Sequence, residues 1–246
     1  IAAHVNGGSL TSEPCSAAIP VMESMKTKIA ALAGEKTAFK NFLLKYHGDR
    51  KIQNVTVEMA INGARAVKSM VTETSDLDAN LGIAYRHLSL YDVNKDLPKA
   101  PGGNVALPEG AFWLLVTGEE PSMEEVKGLT EELHKRSAVP ANVMQTLDTL
   151  PIDTHPMTQL SVAMLALQKD SKFCQQYQEG MKKDQYWVYA LEDALDIIAK
   201  IPSIAAKIYR RTFADGVVPE YDKNLDWAAN FAQMLGVNQD EGFKEA

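Results

Sequence analysis

Cysteine is scarce: the 246 residues hold two, Cys15 and Cys174, far apart in the chain. Thiols so placed supply neither a disulfide framework nor the paired ligands of a zinc site. Long apolar runs are missing too. None approaches the ~18–20 residues that cross a bilayer as a helix, so no transmembrane segment is expected. Basic charge is in deficit, with 25 Lys and Arg against 32 Asp and Glu and a formal net charge of −7. A general binder of phosphate backbones needs the opposite balance, so nucleic acid is not an expected partner. Gly (15) and Pro (11) are too few for a collagenous or low-complexity chain. The phosphate-cradling glycine motifs, G-x-S-x-G, H-E-x-x-H and C-x-x-C are all absent.

What is present is a globular composition, 46% hydrophobic and 23% charged. The chain opens on Ile1 and not on Met, so a targeting peptide is not legible. Residues 1–20 mix Gly, Ser, Thr and small apolar residues without a period and read as an irregular arm. At the other end Asn238 suits an N-cap, with Asp240 and Glu241 in a first turn and Phe243 and Ala246 starting an apolar face. No stop signal follows, which reads as a sequence cut inside a helix.

From Met22 the pattern is helical. Met22, Met25, Ile29, Leu32, Phe39, Leu43 and Tyr46 follow one face, although Gly34 and Lys36 interrupt it, and Gly48 ends it. Lysines between Lys26 and Lys45, with His47, line the rest. That reads as an ordinary surface helix with a solvated basic face in preference to a membrane-surface helix. Residues 52–90 are the one β-prone region: NVTVEM, MVTET and IAYRHLSL are short, β-branched or aromatic, with turns at Asn62-Gly63 and Asp78 to Asn80. A small hairpin sheet is expected there.

Beyond Leu107 the chain reads as helix throughout. Pro108 and Pro156 sit at helix starts, Gly118 and Gly236 at ends, and Ser122 with Glu125 makes a capping box. The stretches around Thr154–Leu167 and Tyr186–Phe213 are apolar on nearly every side, which predicts burial all round. Pro202 inside the second should break or kink it near Ile201. Asp222 or Asn224 is expected to cap the last full helix. These elements describe a mainly α fold with a large helical core and a small β element near the N-terminus.

Candidate chemistry is thin. His155, before Pro156 at a helix start, reads as a capping histidine in preference to one that polarises a carbonyl. Cys174 has no histidine or basic pair nearby in sequence and reads as a passive thiol. Lys182 and Lys183 next to Tyr186 and Trp187 form either a solvated turn or a place to meet a phosphate and stack an adenine. Glu192, Asp193 and Asp196 read as surface charge in preference to a metal site.

Four blocks add a resemblance. LPEGAFWLLVTG (107–118), THPMTQLS (154–161), DIIAKIPSIAAKIYRR (196–211) and LDWAANFAQMLG (225–236) resemble citrate synthase of the eukaryotic mitochondrial type. VTVEMAINGARAVKSMVTETSDLD (55–78) is similar to that family's early segment, and the match runs from about Lys45 to Ala246. The resemblance implies residues 21–246 as the N-terminal part of a large helical domain, the arm at 1–20 standing outside it. It implies condensation of acetyl-CoA with oxaloacetate to citrate and CoA, a homodimer, and a place on the matrix side of the mitochondrion. CoA is then a substrate, with no permanently bound cofactor and no metal. Family use implies CoA contacts at Arg65 and at Lys183, where lysine keeps the charge of an arginine but loses its planar fork. The family's catalytic His-Glu-Gly-Gly and Pro-Leu-His-Gly segments and its aspartate base do not occur in this sequence, so no catalytic residue is assigned. A second reading implied by the missing half is a non-catalytic, citrate-synthase-derived structural subunit of a larger mitochondrial assembly.

Overall fold

The computed structural model describes residues 20–63, 66–68, 70, 74–78 and 80–237. Residues 1–19 of the arm, Arg65, residues 71–73 of the MVTET piece and the segment 238–246 lie outside the described residues.

Among the described residues ten α-helices and a three-stranded antiparallel sheet follow one another as α1 (Val21–His47), α2 (Val57–Ile61), β1 (Ser75–Asp78), β2 (Gly82–Tyr85), β3 (Leu88–Ser89), α3 (Leu90–Asp96), α4 (Pro108–Thr117), α5 (Met123–Arg136), α6 (Ala141–Thr149), α7 (Pro156–Ala166), α8 (Lys172–Gln178), α9 (Tyr186–Phe213) and α10 (Trp227–Leu235). Local chemistry sets most of the boundaries. Pro108 and Pro156 occupy first helical turns, where a missing N–H is no loss. Ser122 and Glu125 form the expected capping box at α5. Gly236 ends α10 at φ 83°, and a Cβ there would meet Arg210 Nη1 at 2.6 Å.

The β-prone region splits. NVTVEM is not a strand: Thr56 accepts from the Met59 N–H and starts α2 instead. β1 pairs with β2 across the turn at Asp78, whose carboxylate accepts from the Asn80 and Leu81 N–H groups. IAYRHLSL supplies β2 and β3 and then runs into α3 through a Ser89–Asp92 capping box. Asp226, and neither Asp222 nor Asn224, caps α10 by accepting from Ala229 N at 2.8 Å. Asp222 is spent on a local turn to Asn224.

α9 organises the packing, and it corrects a second expectation: it is one continuous helix through Pro202. Proline removes the N–H that would bond the carbonyl of Ile198, four residues back. That carbonyl accepts the indole N–H of Trp227 at 3.0 Å instead. A side chain from the start of α10 thus replaces the lost rung, and the helix has no reason to stop. On one side of this waist, Leu191, Leu195 and Ala199 join Met25 of α1, Trp113 of α4 and Leu129 and Leu133 of α5 in one core. On the other, Ile204 and Ile208 join Val143 and Leu147 of α6 and Ala163 of α7 in a second. A third cluster, Leu88, Val93, Leu97 and Leu114, seats the sheet and α3 on α4.

α7 is not buried all round. Gln159, Ala163 and Leu167 face inward, while Met157 (61%) and Leu165 (76%) are exposed. The apolar stripe of α1 is likewise divided. Its first half packs on α4 and α5, and Phe39, Phe42 and Tyr46 beyond Gly34 are exposed. Lys26 and Lys28 of its basic face are engaged by Glu192, Glu119 and Glu125. Where α1 crosses α5, a Cβ on Gly128 would lie 2.9 Å from Val21 Cβ.

Two stability outcomes follow from this packing. Trp227→Phe leaves the Ile198 carbonyl without a donor and should cost about 1–3 kcal/mol. In a Pro202→Ala background the backbone N–H returns, and the same substitution should cost about 1 kcal/mol less. Urea denaturation of the four members of this double-mutant cycle reads the coupling directly. Gly128→Ala gains up to about 1 kcal/mol of helix propensity. Overpacking against Val21 costs about 1–3 kcal/mol, so the net change in Tm should be downward.

Candidate functional site

The corner between α8 and α9 carries Lys183, one of the two residues to which the resemblance assigns a CoA contact. α8 is held in place by Asp193 of α9, whose carboxylate accepts from Ser171 Oγ (2.5 Å), Lys172 N (2.8 Å) and Phe173 N (3.2 Å). Phe173 and Tyr177 of α8 then meet Tyr186 of α9, with ring centroids 5.4 Å and 6.0 Å from it. The chain between the helices turns through Lys182 into a short 3₁₀ turn, Lys183–Gln185. Lys182 and Lys183 are both exposed on that turn, and Tyr177 is 58% exposed beside it. The corner therefore offers two ammonium groups next to an accessible aromatic surface, a chemistry that suits a phosphate joined to a flat ring. Trp187 is not part of it, being packed against the Met25–Trp113 core. Arg65 lies outside the described residues, so its relation to Lys183 is not part of this geometry.

The other candidates resolve into structural roles. His155 is the N-cap of α7, and its Nδ1 accepts from Met157 N at 3.2 Å. The Cys174 thiol is half-buried, and hydrogen bonds to Ser171 and Gln168 draw it below its ordinary range with no histidine or cation as partner. No group of three or more metal-binding side chains is found among the described residues.

Glu192 and Asp196, plain surface charge by sequence alone, form the centre of an ion-pair cluster. Arg136, at the end of α5, reaches Glu132 (2.7 Å), Glu192 (2.9 Å) and Asp196 (2.8 Å). Lys26 of α1 and Lys172 of α8 reach Glu192 from two other sides, at 2.8 Å and 3.2 Å. Burial alone would raise the Glu192 carboxyl, but its bonds to Lys26, Arg136 and Lys172 outweigh that and hold it at about 2. Partial burial pulls Arg136 the other way, and its three carboxylate partners raise it well above its ordinary value. Arg136 was missed in sequence; its place in the last turn of α5 was the available signal, and that signal accounts equally well for a simple helix-end cation.

A second missed residue is Glu109. It is 3% exposed in the first turn of α4, and its Oε1 accepts from Thr130 Oγ1 (3.0 Å) and Trp227 N (3.2 Å). It thereby ties α4, α5 and α10 together.

The comparisons with known proteins agree with this architecture. A family model described as citrate synthase, C-terminal domain, matches residues 63–246. The mitochondrial citrate synthase of Kajikia audax is 47% identical over 206 residues, which cover 83% of this chain and 44% of that protein. The peroxisomal citrate synthase of Saccharomyces cerevisiae is 46% identical over 200 residues, covering 81% and 43%. Among solved structures, the citrate synthase of Pyrobaculum aerophilum superposes with a TM-score of 0.60 at 23% identity, covering 74% of this chain and 43% of that one. A citrate synthase of Thermoplasma acidophilum, solved as a ternary complex with carboxymethyl coenzyme A and oxaloacetate, gives 0.54 at 18%, covering 71% and 42%. These two likenesses establish the fold. The fold defined above is thus the citrate synthase fold, and the chain belongs to the citrate synthase family. It spans about half the length of the curated relatives it matches, for example 44% and 48%.

The Glu192 cluster makes a pH prediction. The folded carboxyl sits at about 2, below its ordinary 4.5, so the folded state binds the proton less readily than the unfolded chain. Its contribution to stability is complete above about 4.5 and is lost as pH falls toward 2. Thermal melts between pH 5 and pH 2 should fall more steeply for the native chain than for Glu192→Gln.

Proposed function

We propose that this chain forms the scaffold half of a citrate synthase, the enzyme that joins acetyl-CoA to oxaloacetate and releases citrate and CoA. The observation that carries the reading is the close match, near one residue in two, to named citrate synthases along more than four fifths of the chain. The named relatives carry the enzyme's name, which favours this reading over that of a structural subunit.

Within that enzyme the chain's own residues bind and position. Lys183, exposed at the α8–α9 corner, and Arg65 are the CoA contacts we assign. The ammonium of Lys183 would meet a phosphate as a point charge, without the two-pronged grip of a guanidinium. The proton transfer from the acetyl methyl and the polarisation of the oxaloacetate carbonyl need a carboxylate base and histidines, which in this family come from segments this sequence does not contain. α4, α5, α9 and α10 supply the rigid frame on which such groups are held.

The partner in this reading is a second copy of the enzyme. The exposed Met157 and Leu165 of α7, with Ile152 just before it, give that helix an apolar outer face suited to a subunit contact. A mitochondrial location, on the matrix side, is in keeping with the mitochondrial names among the relatives; a peroxisomal relative of similar identity leaves the peroxisome as the second place to look.

Steady-state assays of CoA release test the proposal. The native protein that contains this chain should turn over acetyl-CoA and oxaloacetate, and Lys183→Ala should raise KM for acetyl-CoA about three- to tenfold with kcat little changed. The purified 246-residue chain by itself should show no turnover above buffer, because groups that act as a unit are lost as a unit. Turnover by that chain alone, or an inactive native protein, would contradict the reading.

A further inference from the structure

We propose that the cleft between α5, the 98–107 loop and the 221–226 segment binds a small amphiphilic anion: an apolar body carrying one phosphate or carboxylate head. The cleft has a volume of about 380 Å³, within the range that takes a small organic ligand. Its inner surface includes Leu107, Met123 and Leu225, which offer an apolar bed. Lys99, Lys127 and Lys223 line it from three different elements. None of the three makes an ion pair or side-chain hydrogen bond among the described residues, so each ammonium group is available to a ligand.

The carboxylates of the cleft do not cancel these cations. Asp226 is spent on the N-cap of α10, and Glu131 is the other. Behind the lining lie two more carboxylates, Glu109, whose Oε1 accepts from Thr130 and Trp227, and Asp222, which accepts from Asn224, so the charges without a partner among the described residues are the three lysines and Glu131. Three free ammonium groups against one free carboxylate draw an anionic head to one place.

The walls are fixed before any ligand arrives. Lys99 and Ala106 pair across the 98–107 loop, and Leu107 N donates to Pro98 O at 2.9 Å. The 221–226 segment is tied by the buried Asn230, which accepts from Asp222 N and donates to the Asp222 and Leu225 carbonyls. His134 of α5 is locked to Tyr221 at 2.7 Å. A preformed cleft loses little freedom on binding, so modest contacts suffice. The inference is independent of the enzyme reading, since Lys183 lies at another corner of the molecule and takes no part in this cleft.

Calorimetric titration of the full 246-residue chain with 1-naphthyl phosphate tests the proposal, with inorganic phosphate and 2-naphthol as head-only and body-only probes. One site per chain is expected, about tenfold or more tighter for naphthyl phosphate than for either part. The triple variant Lys99→Gln, Lys127→Gln and Lys223→Gln should weaken it about tenfold. Lys135→Gln, on α5 but outside the cleft, should leave it unchanged. As a readout that needs no variant, amide shifts in the NMR spectrum of the native chain should cluster at Thr130, His134 and Leu225. Absence of saturable binding, equal affinity for phosphate alone, an unaffected triple variant, or shifts confined to another surface would each overturn the proposal.

Discussion

The scaffold depends on one hydrogen bond, from the indole of Trp227 to the carbonyl of Ile198. A proline in the middle of a 28-residue helix ordinarily breaks it, because the carbonyl four residues back is left bare. Here the bare carbonyl lies at the waist between two hydrophobic cores, and the first residue of α10 fills it. α9 can then serve both cores as a single rod. Without that donor the carbonyl at the waist would have to take in water or bend away to reach it.

The same few residues tie the frame from several directions. Trp227 gives its indole N–H to α9 and its backbone N–H to the buried Glu109 of α4, which also accepts from Thr130 of α5. Farther along, Arg211 of α9 donates to Gln159 of α7 and to the Leu150 carbonyl after α6, and Arg210 donates to the last carbonyl of α10. At the other end Arg136, Lys26 and Lys172 converge on Glu192. These contacts are long in sequence and mostly polar. They set where helices lie relative to each other, while burial of Trp113, Leu129, Leu195 and Ile204 supplies most of the driving force.

Helices with strong local signals were legible in the sequence. The prolines at 108 and 156, the Ser122–Glu125 box and the glycines at 118 and 236 act within a few residues, so the chain alone reveals them. The misreadings have a common cause. Pro202 was read from its local effect, and its rescue comes from 25 residues downstream. NVTVEM has β-branched residues, but the Thr56 cap decides for helix. α7 is apolar on every side, yet a single chain covers only one of its faces. For the proposed CoA contact, Lys183 is legible as a charge beside aromatics; Trp187 is legible too, but only packing shows that it belongs to the core. Glu109 and Arg136 gave no distinctive signal, because a buried carboxylate and a helix-end arginine look in sequence like ordinary surface charge.

The central claim is that α9 unites two cores into one cooperative frame. Native-state hydrogen exchange along α9 tests it most directly. The account predicts that slow amides on both sides of Pro202, in the Leu191–Ala199 and Ile204–Ile208 stretches, open together with one free energy. Independent opening of the two halves, with clearly different free energies and denaturant dependence, would contradict it.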